Sequence, residues 1–67
     1  MNSYVVICGN IGMVYSGGVY QSALDAFTVY KNKSIRGEGR ASGESVTMFR
    51  NGEVIKEFIG STDENED

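Results

Sequence analysis

Hydrophobic positions along this chain change their spacing twice. Tyr4-Val5-Val6-Ile7-Cys8 is a continuous β-branched and aromatic run, which is strand composition. It stops at Gly9-Asn10, a pair suited to positive backbone φ, so a tight hairpin turn is expected there. Extended character resumes over residues 11–16, with Gly12 at the edge of the turn or at a bulge, and Gly17-Gly18 ends it. These two strands make a first hairpin.

Over residues 20–33 the spacing becomes helical. Tyr20, Ala23, Leu24, Phe27 and Tyr30 recur on one face, and Gln21, Asp25, Thr28, Lys31 and Asn32 fall largely opposite. That is a helix laid on a sheet. Ser22 with Asp25 offers a cap, but the apolar pattern starting at Tyr20 sets the start earlier, with Ser16 or Gly18 at its head. Asp25 near the first turns and Lys31 with Lys33 near the last suit the helix dipole.

Residues 34–45 hold three glycines and three serines without apolar spacing and read as a loop. It is longer than most connections in small domains, which implies flexibility or function. A second hairpin follows, with strands over residues 46–50 and 53–59 joined by Asn51-Gly52, the strongest turn signal in the chain. The fold class is therefore α+β. The order is ββαββ, a four-stranded antiparallel sheet with one helix on one face, in a single domain over residues 1–60.

With a two-residue loop at Asn51-Gly52, Arg50 faces Glu53, Phe49 faces Val54, Met48 faces Ile55, Thr47 faces Lys56 and Val46 faces Glu57. Both faces of the hairpin then carry apolar side chains, and a three-residue loop redistributes them without separating inside from outside. One helix covers one face only. Either Val46, Met48 and Ile55 or Phe49 and Val54 are left for another surface, so these five residues are the expected interface of a homodimer or higher oligomer. At 67 residues the chain buries only roughly 60% of its unfolded surface, which adds weight to self-association.

Composition narrows the chemistry. The chain has no His, which removes the commonest general base and metal ligand, and one Cys, which leaves no internal disulfide framework. Cys8 sits in the most apolar run and reads as structural. The carboxylates Glu38, Glu44, Glu53 and Glu57 lack metal-ligand spacing, and the glycine patterns are not followed by the Lys-Ser or Lys-Thr of a phosphate loop. No catalytic residue, metal or cofactor is expected, and the protein is read as a non-enzyme. The longest apolar run is far short of a membrane span, so a soluble, cytoplasmic protein is expected.

Four of the nine carboxylates, Asp63, Glu64, Glu66 and Asp67, crowd the last five positions, and the segment 61–67 reads as an acidic disordered tail. Over residues 1–60, six basic and five acidic side chains leave a balance of +1. Such a near-neutral body argues against general nucleic-acid binding. The loop from Arg36 to Glu44 is the best ligand candidate. The backbone of Gly37 and Gly39, the guanidiniums of Arg36 and Arg40, the Ser42 hydroxyl and Glu44 together suit a small anion such as a nucleotide. The competing interpretation is a polar crossover in which the arginines pair with Glu38 and Glu44.

The segments GNIGMVYSGG, LDAFTVY and GRASGESVTMFRNGEVIKEFIG resemble small uncharacterised proteins encoded by tailed phages. The resemblance covers most of the chain and implies an accessory factor that works by binding in the host cytoplasm. The leading expectation is a small non-catalytic protein that inhibits a host protein by direct contact. The alternative is a sponge for a small anionic ligand held by residues 36–44.

Overall fold

The structure, a computed structural model, describes residues 2–60. Its elements are β1 (Tyr4–Cys8), β2 (Gly12–Gly17), α1 (Tyr20–Arg36), β3 (Val46–Arg50) and β4 (Glu53–Phe58), with a 3-10 turn, Gly39–Ala41, between α1 and β3. The four strands form one antiparallel sheet in the order β2-β1-β3-β4, so the ββαββ architecture expected from the patterning is the one observed. The acidic segment 61–67 lies outside the described residues. Among those residues no helix is long and apolar enough to cross a membrane.

The two most apolar strands, β1 and β3, take the centre. Tyr4, Val6 and Cys8 from β1 and Val46 and Met48 from β3 are buried on the side that α1 covers, where they meet Ala23 and Phe27 of the helix and Ala41 of the 3-10 turn. Alternation in a strand makes this possible, because every second side chain faces the same way. Tyr20, at the first turn of the helix, stands edge-on to the Tyr4 ring at 5.5 Å.

The first turn differs from expectation. Neither Gly9 nor Asn10 has positive φ; the left-handed residue is Gly12, at φ 101°. Cys8 pairs with Gly12 across a three-residue loop, and the Ile11 N–H donates to the Cys8 carbonyl at 3.1 Å. A loop of this length takes a tight turn and then a left-handed residue, so glycine is needed at Gly12, two positions beyond the Gly9-Asn10 pair.

The second turn is the two-residue loop expected, with Asn51 at φ 51° and Gly52 at φ 88°, and Arg50 faces Glu53 and Phe49 faces Val54. Beyond that the register slips. Ile55 is inserted as an extra residue, so Met48 faces Lys56, Thr47 faces Glu57 and Val46 faces Phe58. The bulge brings Phe58 against the core and sets the Lys56 ammonium 5.8 Å from the Phe27 ring centre. A second irregularity, at Val14 in β2, lets both Val14 and Tyr15 pack on the core.

The helix starts at Tyr20, where the apolar spacing begins, and ends three residues beyond the expected Lys33. Val19, extended at φ −107° and ψ 112°, precedes it in place of Ser16 or Gly18. The Tyr15 hydroxyl sits at this junction, accepting from the Val19 N–H at 3.4 Å and donating to the Val19 carbonyl at 3.2 Å. The helix runs to Arg36 and stops at Gly37, left-handed at φ 71°. There the Gly37 N–H donates to the Ser34 carbonyl and the Glu38 N–H to the Lys33 carbonyl, closing the last turn.

Candidate functional site

Two regions qualify, the crossover between α1 and β3 and the sheet face opposite the helix. The crossover contains the ligand residues expected from the sequence. The structure uses most of them to hold the backbone. Gly37 caps the helix, and Gly39 and Arg40 open the 3-10 turn. The Ser42 N–H donates to the Gly39 carbonyl at 3.2 Å. Arg36 pairs through Nε with Glu38 at 3.2 Å, and Lys33 approaches the other oxygen of Glu38 at 3.9 Å.

Glu44 turns away from Arg36 towards the first hairpin. Its carboxylate accepts the Asn10 N–H at 3.2 Å and lies against Gly9, where a Cβ would push the carboxylate aside. The Glu44 carbonyl accepts from the buried Ser34 hydroxyl at 2.7 Å, and the Ser45 hydroxyl accepts the Gly60 N–H at 2.9 Å. Helix end, first hairpin and the chain after β4 are all tied to this loop. Arg36 and Glu44 therefore do not converge on one anion.

A cleft does form nearby. It is an open depression of about 240 Å3 lined by Ile11, Tyr30, Lys33, Glu38, Gly39 and Ala41. Among the described side chains and backbone of the expected ligand residues, Gly39 alone lines it. Ile11, Tyr30 and Lys33 come from the first hairpin and the helix, and only the i, i+3 spacing of Tyr30 and Lys33 on one helix face was visible beforehand.

The second region is the uncovered face of the sheet. Register places two rows there: Ser16, Val5, Phe49 and Val54, then Met13, Ile7, Thr47 and Glu57. Met13 is 62% exposed, Val54 54% and Ile7 37%, while Val5 and Phe49 are half-buried by their neighbours. Antiparallel sheets that face water on one side usually alternate apolar-in with polar-out. Here five of eight outward positions are apolar, and Glu57 is the one charged residue among them.

This settles which half of the second hairpin is free. Val46 and Met48, expected as interface residues, are fully buried under the helix and drop out. Phe49 and Val54 lie side by side on the open face, and Ile55 is exposed at the bulge. Val5, Ile7 and Met13 were not foreseen, because the turn of the first hairpin sits one residue away from its expected place and β2 carries its own bulge.

Cys8 is fully buried, and burial, with a smaller contribution from the nearby Glu44 charge, pushes its thiol pKa up, away from the reactive thiolate. Among the described residues no three His, Cys, Asp or Glu side chains are placed to share a metal ion. No protein family, curated protein or solved structure matches the chain.

Proposed function

We propose that this is a non-catalytic binding protein that works by docking a protein partner on the open face of its sheet. One observation carries the reading: Val5, Ile7, Met13, Phe49 and Val54 form a contiguous apolar surface across all four strands, opposite a fully packed core. Contiguous exposed apolar patches on small proteins mark interaction sites far more often than scattered residues do. Depletion of charge at the centre with a polar rim is the usual anatomy of such an interface.

The face also says something of the partner. Its single charge is Glu57, at the β4 corner, so the complementary surface is apolar with a basic group at one edge. The resemblance to phage accessory proteins makes a bacterial host protein the partner of this reading, and inhibition by occlusion its effect. The dimer expected from the sequence competes for the same face, but the open rows of a second copy hold no cation to meet Glu57.

Capture from a bacterial lysate by the wild type and by the double variant Met13→Lys, Val54→Lys tests this, with circular dichroism as a check on folding. A protein retained by the wild type and lost by the folded variant supports the reading. Retention unchanged by the two lysines overturns it. Light scattering on the wild type alone, giving twice the chain mass, would assign the face to self-association.

A further inference from the structure

The cleft at the end of α1 differs from the open sheet face in both shape and charge. Three segments build it: the tip of the first hairpin with Ile11, the helix with Tyr30 and Lys33, and the crossover that follows the helix with Glu38, Gly39 and Ala41. Ile11, Ala41 and the Tyr30 ring make its apolar part. Ile11 is exposed although it sits at the tip of a hairpin, where a polar residue would cost nothing.

The polar part is unbalanced. Lys33 and Arg36 share one carboxylate, that of Glu38, and they share it unequally. Arg36 holds it at 3.2 Å, within hydrogen-bond distance, whereas Lys33 stands at 3.9 Å, too far for one. An incoming anion can therefore take the Lys33 ammonium while Glu38 keeps Arg36. Glu38 is held by Arg36, whose side chain is not among the lining residues, so the Lys33 ammonium is the charge left facing the cleft, which favours an anionic group over a cationic one. Among the described residues the Tyr30 hydroxyl has no hydrogen-bond partner, so a donor stands on the same wall.

We infer that this cleft binds a small amphiphilic anion, with an apolar ring between Ile11, Tyr30 and Ala41 and a carboxylate or phosphate on Lys33. Volume limits the ligand. About 240 Å3 falls below the roughly 300–1,000 Å3 of sites for drug-sized molecules, so one ring with one charged group fits and a whole nucleotide is not enclosed. The site is independent of the sheet face: none of its lining residues belongs to the open rows.

Four probes separate the contributions. Benzoate and phenyl phosphate carry both ring and charge, inorganic phosphate carries charge alone, and benzamide carries the ring alone. With isotope-labelled full chain, nuclear magnetic resonance titrations should give saturable shifts at the Ile11, Gly39 and Ala41 amides for benzoate or phenyl phosphate, and clearly weaker ones for the other two. The tighter of the two ring-bearing anions identifies the head group. Lys33→Gln should weaken that binding several-fold, the scale of one charge-assisted hydrogen bond at a partly screened site. Ile11→Ser, at an exposed position, should weaken it through the ring. No saturable shift at these amides with either ring-bearing anion overturns the inference. So does benzamide binding as tightly as benzoate, or Lys33→Gln binding as tightly as the wild type.

Discussion

The two faces of the central strands are made from similar residues and meet opposite fates. On one face Val6, Cys8, Val46 and Met48 lie sealed beneath Ala23 and Phe27. On the other, Val5, Ile7 and Phe49 have the same apolar character and, among the described residues, no layer above them. The difference teaches that apolar content does not decide which side of a sheet becomes the core. The helix decides it, and the helix can seal one side only.

The largest effect should come from the sealed face. Met48→Ala removes a fully buried side chain between strand and helix and should cost about 2–5 kcal/mol in denaturant unfolding. Val5→Ala, its counterpart on the open face, should cost clearly less, because part of the deleted surface already meets water. Equal losses would break the comparison and show that the open face is covered in solution.

A smaller loss is expected at the seam between helix and crossover. The Ser34 hydroxyl donates to the Glu44 carbonyl at 2.7 Å in a buried setting, so Ser34→Ala should lower stability by about 1 kcal/mol. Hydrogen exchange should locate the loosening at residues 42–45. No change in either observable would mean that the crossover is held by its backbone bonds alone.

Cys8 sharpens the comparison through pH. Its folded-state pKa is raised, so the folded protein keeps the thiol proton to higher pH than the unfolded chain does. Stability is then fully present below the unfolded thiol value of about 8.5 and declines as pH rises from there through the folded value. Thermal unfolding of the wild type should show this alkaline decline, and Cys8→Ala should flatten it. Identical slopes would place Cys8 closer to water than the sealed face allows.

The smallest effect belongs to the open face itself. Met13→Lys with Val54→Lys should leave stability within about 0.5 kcal/mol per site, although the same pair removes the proposed docking surface. A large loss of melting temperature would move both residues into the core.

Element order, sheet class and the Asn51-Gly52 turn were legible because each rests on local signals: apolar spacing and turn composition. The helix end was not. Ser34, Ile35 and Arg36 carry no apolar spacing, and Ser34 is drawn inside by a hydroxyl bond to a residue ten positions later; the available signal was Gly37 following a basic last turn. The bulges at Val14 and Ile55 answer to packing against Phe27 and its neighbours, which no period-two pattern contains. That the second hairpin is apolar on both sides was visible, but alternation alone does not say which side a helix will choose. The cleft was hidden for a different reason. Its lining comes from three segments, and the arginine-glycine loop that drew attention spends its polar groups on holding those segments together.

The pairing of β1 with β3 has a consequence for how this chain folds. Tyr4 meets Arg50 across the middle of the sheet, and just beyond, the Asn51 N–H donates to the Ser3 carbonyl while the Asn51 side-chain oxygen accepts the Ser3 N–H. The first residues of the domain are thus zipped to a turn almost fifty positions away. Either hairpin can form locally, but each owns only one central strand and half of the floor on which α1 rests. Closing so long a loop costs entropy before any core contact rewards it, and chains dominated by distant contacts fold slowly for that reason. Folding should accordingly be all-or-none, with the β1–β3 seam forming at the rate-limiting step. A chain cut within the crossover should yield two fragments that are unstructured apart and gain order only when mixed.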